Sequence, residues 1–131
     1  MIVDTSALMA VLLNEEDEDL FPRTMLQANS LKMSAANWLE AAIIVDQRPH
    51  PGAGYVFEDY IEFLKLEIVP VTLDIAYLAR VAYTRFGKGQ HRAHLNYGDR
   101  FAYALAKHTG EPLLFNGNDF AQTDIRSAIS R

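Results

Sequence analysis

The chain has 131 residues, half of them apolar, so it can close one sizeable core without cross-links; the absence of cysteine excludes disulfides and thiolate metal sites and fits a reducing cytoplasm. No apolar run is long enough to span a bilayer, and the acids at 15–19 exclude a signal peptide, so the expected protein is soluble, with no membrane partner. The net charge of −5 speaks against nucleic acid until its distribution is considered: residues 1–70 hold 12 acids and 4 bases, whereas residues 80–107 hold Arg80, Arg85, Lys88, Arg92, Arg100 and Lys107 against Asp99 alone.

Met1, Ile2 and Val3 form a short apolar run that predicts a buried strand ending at Asp4. Residues 6–13 are apolar almost all round and predict a buried helix. The acidic run 15–19 breaks it, and a second, amphipathic helix is expected to about residue 28. Lys32 and Met33 predict a strand, and Ser34 is placed to cap a helix over 35–47. The Pro- and Gly-containing stretch 48–54 is a turn or loop. Val56, Tyr60, Phe63 and Leu64 fall at helical spacing within 55–65. A strand over 67–71 and a helix from Thr72 to about Phe86 follow, then a loop over 87–92. Asn96 opens a helix over 97–108 that Gly110 closes. Residues 112–115 predict a strand and 116–119 a turn, with a further short strand near 124–126. Nothing repeats, so one domain over 1–131 is expected. Short apolar strands alternating with helices indicate an α/β fold, a parallel sheet covered on both faces, whose site lies beyond the carboxyl ends of the strands.

Asp4 and Asp119 each follow a predicted strand, the position where such a sheet builds its site, although Asp is also common in turns and caps. Glu40 is the only charge between Lys32 and Asp46, on a helix apolar on every side. A buried carboxylate there needs a cation: a metal, or an Arg or Lys from the fold or a dimer partner. Asp99 stands three residues after Asn96, where an acid also caps a helix. Four oxygen donors with no cysteine point to Mg²⁺ or Mn²⁺ rather than zinc. Such an ion relieves the mutual repulsion of the carboxylates, lowers the pKa of a bound water and shields charge on a phosphate, the chemistry of phosphodiester hydrolysis.

The opening Met-Ile-Val-Asp-Thr-Ser-Ala-Leu, the lone Glu40, Asn-Tyr-Gly-Asp-Arg-Phe-Ala-Tyr-Ala-Leu-Ala at 96–106 and Leu-Leu-Phe-Asn-Gly-Asn-Asp-Phe-Ala-Gln-Thr-Asp-Ile at 113–125 together resemble the PIN-domain ribonucleases, and more closely the VapC toxins of VapBC toxin–antitoxin pairs. The resemblance implies an α/β/α sandwich around a mainly parallel sheet of four or five strands. It implies a Mg²⁺- or Mn²⁺-dependent endoribonuclease held in check by a VapB antitoxin, as a homodimer within the complex. Asp4, Glu40, Asp99 and Asp119 match the family's acidic quartet. Ser6 matches its supporting hydroxyl, and Asp124 an additional acid that some members place near the metals. The family often has Lys or Thr where this chain has Asn116, and an acid where it has Asn118.

Gly87-Lys-Gly-Gln lacks the ending of a P-loop and reads as a loop in which Lys88 and Arg92 are candidates for RNA phosphate contact. His91 and His94 have a helical zinc spacing, but the neighbouring glycines argue against a helix. Trp38 and the stripe Tyr97, Phe101, Leu105 read as core. Residues 8–13 and 56–64 carry enough apolar surface to line an antitoxin groove or a homodimer seam. Two other readings compete. A phosphatase of the haloacid-dehalogenase type would have a second Asp where Ser6 stands, and a receiver would have paired acids and a late Lys; an inert PIN-like RNA-binding module would bind no Mn²⁺.

Overall fold

The computed structural model describes residues 1–13, 19–87, 93 and 95–129. Most of the acidic run, together with Lys88, His91, Arg92 and His94, therefore lies outside the described residues. The elements run β1 (Ile2–Val3), α1 (Thr5–Leu12), α2 (Leu20–Gln27), β2 (Lys32–Ser34), α3 (Ala35–Asp46), α4 (Ala53–Phe63), β3 (Glu67–Val69), α5 (Leu73–Phe86), α6 (Tyr97–Thr109) and β4 (Leu113–Leu114), with a 3-10 turn at Phe120–Gln122. The helix boundaries lie within two residues of those that periodicity and capping residues indicate. Ser34, Thr72 and Asn96 each accept a backbone N–H at the start of their helix, and Gly110, at φ 74°, closes α6 in the left-handed conformation.

The strands form one parallel sheet in the order β3-β2-β1-β4. Side chains alternate across it. Val3, Met33 and Leu114 join α1 to α4 in one apolar cluster, and Ile2 and Leu113 join α5 and α6 in the other. This is an α/β fold with a helical layer on each face of the sheet. The strand expected near 124–126 is reduced to a single parallel bridge between Leu113 and Ser127. At the amino ends of the strands, Glu111 accepts from Lys32 and from the Met1 amine (2.6 Å), and these two cations hold its carboxyl below the usual glutamate range.

Two expectations are corrected. The helix carrying Glu40 is not buried all round, because α3 turns only the stripe Asn37, Ala41 and Val45 fully inward; Leu39 and Ile43 are 53% and 47% exposed. Of the aromatic stripe on α6, Leu105 is core, but Tyr97, the first residue of the helix, is 71% exposed, because no full turn precedes it to carry it into the core. Trp38 packs against Phe57, with ring centroids 6.3 Å apart.

Candidate active site

The chain leaves β1 on one side of the sheet for β2 and returns through β4 on the other, so the crevice of an open α/β fold opens beyond β1 and β4. Asp4 stands there. Its N–H donates to Leu114 O at 3.0 Å, which ties it to β4, and its carbonyl accepts from Ala7 and Leu8 to begin α1. Its Oδ2 accepts from the Ser6 N–H at 3.0 Å and from the Ser6 hydroxyl. Ser6 Oγ in turn accepts the Asn116 N–H at 3.0 Å, so one hydroxyl joins the first acid to the loop after β4.

Asp99 is buried in the first turn of α6. Its Oδ2 accepts the Asn96 N–H at 3.0 Å while Asn96 Oδ1 accepts the Asp99 N–H at 2.8 Å, a reciprocal capping box. Glu40, on α3, is half-buried, and Asp119, in the turn after β4, is exposed. All four acids, with Ser6, Asn96 and Asn116, line one cavity of about 490 Å³. Among the described residues lining it, Arg48 is the only lysine or arginine, and it forms no ion pair with another described residue.

A carboxylate buried away from water resists ionisation, and the two buried acids show it. Burial pushes the Asp4 carboxyl up to about 6, with the Glu40 charge adding and the Ser6 hydrogen bonds opposing. Burial likewise pushes Asp99 up to about 7; the Asn96 N–H opposes this, while Asp4, Asp119 and Glu40 add to it. Such a set of hard oxygen donors, short of cations, suits a hard divalent ion in type. Among the described residues, no three His, Asp or Glu side chains stand close enough together to hold an ion as placed. Mg²⁺ takes one or two carboxylates and keeps several waters, so a closed protein cage is not what it requires.

Asp124 is not brought to this cavity. Its Oδ1 accepts from the Tyr103 hydroxyl at 2.7 Å, and its Oδ2 pairs with Lys107 at 2.7 Å and Arg85 at 3.5 Å. Partial burial pushes this carboxyl up, but Lys107, Tyr103 and Arg85 together hold it below the usual aspartate range. Two residues that no sequence motif singles out also bear on the site. Asn37 is fully buried and donates from Nδ2 to Gly98 O at 2.9 Å. Gly98 lies so close to Glu40 that a Cβ there would overlap Oε2 and stand 2.8 Å from Cδ. Asn37 carried a signal, because it and Glu40 are the only polar residues between Ser34 and Asp46.

Comparisons with known proteins identify the family and the fold. The PIN domain family matches residues 1–126. A ribonuclease VapC of Mycolicibacterium smegmatis is 44% identical over 125 residues, covering 95% of this chain and 97% of that one. The fold is similar to that of Mycobacterium tuberculosis VapC20, described as a sarcin-ricin loop cleaving toxin, with a TM-score of 0.74 at 16% identity and 95% of each chain covered. It is also similar to a chain of a toxin–antitoxin complex from Klebsiella pneumoniae, with a TM-score of 0.66 at 17% identity, covering 94% of this chain and 92% of that one. With its sequence matched nearly end to end and its sheet and helices laid out in the same way, the chain belongs to the PIN-domain family, among the VapC ribonucleases.

Proposed function

We infer that the chain is the toxin of a toxin–antitoxin pair, a cytoplasmic endoribonuclease that hydrolyses RNA phosphodiester bonds with Mg²⁺, for which Mn²⁺ can substitute. The observation that carries this reading is the gathering of Asp4, Glu40, Asp99 and Asp119 on one cavity at the carboxyl ends of β1 and β4, with two of the four buried. The relatives named ribonucleases support RNA as the substrate.

In this reading Asp4, Asp99 and Asp119 hold the ion, directly or through water. The ion, when bound, supplies a polarised water and shields the charge that builds on the phosphate. Glu40 contributes a further ligand or orients the attacking water by accepting its proton. Ser6 keeps Asp4 turned toward the cavity, and the Asn116 loop closes its edge. In-line attack leaves a 5′-phosphate and a 3′-hydroxyl. Lys88 and Arg92, outside the described residues, are the candidates for RNA phosphate contact.

The antitoxin would fill the apolar cleft between α1, α3 and α4, lined by Leu12, Leu13, Val45, Val56 and Phe57. Arg48 borders both this cleft and the acidic cavity, so a peptide lying in the cleft ends at the mouth of the site. A second copy of the chain would cover Leu39, Ile43 and Tyr97. Among the described residues, no helix is long and apolar enough to cross a membrane.

The test is cleavage of RNA by the purified protein in Mg²⁺ or Mn²⁺, with sequencing of the product ends. Asp4→Asn and Asp99→Asn are each expected to lower the rate by about 100-fold or more, as loss of a metal-holding charge should. Unchanged cleavage in either variant defeats the assignment.

A further inference from the structure

The four acids come from elements far apart in the chain, so their spacing depends on how α1, α3 and α6 are fastened together. Two hydrogen bonds converge on one residue, Asn37. Asn37, on α3, is fully buried and stands one turn ahead of Glu40. Its Nδ2 donates to Gly98 O at 2.9 Å, and Gly98 is the residue before Asp99. Its own carbonyl accepts the Thr5 hydroxyl at 3.2 Å, and Thr5 is the residue after Asp4.

Both Asn37 and Gly98 are poor choices for stability. Asn37 Oδ1 is buried with no partner among the described residues, a standing cost that an apolar residue of similar size would not carry. Gly98 lies inside a helix without the positive φ that would call for glycine, where alanine is the better helix former. One contact accounts for the glycine: the Glu40 carboxylate lies against its Cα, and an added methyl would stand 2.8 Å from Glu40 Cδ and 2.9 Å from Oε1. A methyl facing the free end of a side chain leaves the backbone intact and turns the carboxylate away.

We propose that Asn37 and Gly98 form a joint that sets the Glu40 carboxylate against the start of α6 and so fixes its distance from Asp4 and Asp99. Both are positioning residues, and neither touches substrate. The proposal rests on the reading of these acids as a metal site.

The test uses Gly98→Ala and Asn37→Leu in the full chain, with Mn²⁺ affinity measured by titration calorimetry beside RNA turnover. Outer-sphere partners of a metal site are worth ~10- to 100-fold in affinity or rate. Gly98→Ala is expected to weaken Mn²⁺ binding and lower kcat within that range, leaving KM for RNA within about twofold and the melting temperature of the metal-free protein no lower. With Glu40→Ala already in place, adding Gly98→Ala is expected to change Mn²⁺ affinity by less than about twofold, because the displaced carboxylate is gone. Asn37→Leu is expected to follow Gly98→Ala; if it does not fold, Gly98→Ala decides alone. The proposal is overturned if Gly98→Ala binds Mn²⁺ and turns over RNA as the unaltered protein does. It is equally overturned if the loss is as large when Glu40 is absent. An unaltered protein that neither binds Mn²⁺ nor cuts RNA defeats the metal-site reading itself, and the joint with it.

Discussion

At the level of single residues, the buried acids make a thermodynamic statement. Asp4 and Asp99 hold their protons up to about 6 and about 7 in the folded chain, against 3.8 for an unperturbed aspartate. Between those limits the folded state binds more protons than the unfolded one, so stability falls as pH rises. The metal-free protein is expected to melt at a higher temperature near pH 5 than near pH 8, as calorimetry in a chelator will show. Protons compete with the ion for the same oxygens, so Mn²⁺ affinity should weaken over the same interval as pH falls. Ser6 offers a second check. Its hydroxyl donates to Asp4 and accepts from Asn116, and Ser6→Ala leaves the Asn116 N–H without that acceptor. A loss of about 2 kcal/mol in urea denaturation is expected.

At the level of elements, α6 carries the greatest local demand, because its first turn both caps the helix and presents Asp99. Asn96→Ala removes one half of the capping box and should cost about 1 kcal/mol, with a weaker Mn²⁺ site as its second consequence. Gly110→Ala forces a side chain into the left-handed conformation at the other end and should cost about 1 kcal/mol without touching Mn²⁺ affinity. Comparing the two by denaturation and calorimetry separates helix stability from site geometry. These caps were readable in the sequence because capping is decided within four residues. The two-residue β4 and the single bridge at Ser127 were less so, since a strand's length depends on the neighbour it meets.

For the whole molecule, the sheet order is what turns separate acids into one site. β1 lies between β2 and β4, so Asp4 is flanked by the elements that carry Glu40 and Asp119, while α6 lays Asp99 over the same edge. An ion bound only by the folded chain stabilises it by mass action, about 2.7 kcal/mol at one hundred times the dissociation constant. Mn²⁺ should therefore raise the melting temperature, and Asp4→Asn should abolish the rise. In the proposed homodimer, the exposed Leu39, Ile43 and Tyr97 would be the face that a second copy covers. Ile43→Glu is expected to shift the mass measured by light scattering from dimer to monomer without loss of helical circular dichroism.

The amino-acid sequence alone indicated the order and type of the elements up to β4 and marked Asp4, Glu40, Asp99 and Asp119 as the acids to follow into the fold. Periodicity, caps and strand-end positions are local, and the motifs around Asp4, Asp99 and Asp119 are contiguous. Tertiary structure decided the rest. It moved Asp124 away from the cavity into the grip of Lys107, Arg85 and Tyr103, and it left Glu40 half-buried rather than enclosed. It also placed Asn37 and Gly98, 61 residues apart, in hydrogen-bond contact. The physical reason is the same in each case: which face of a helix is covered depends on what packs against it, and no window of sequence contains both partners.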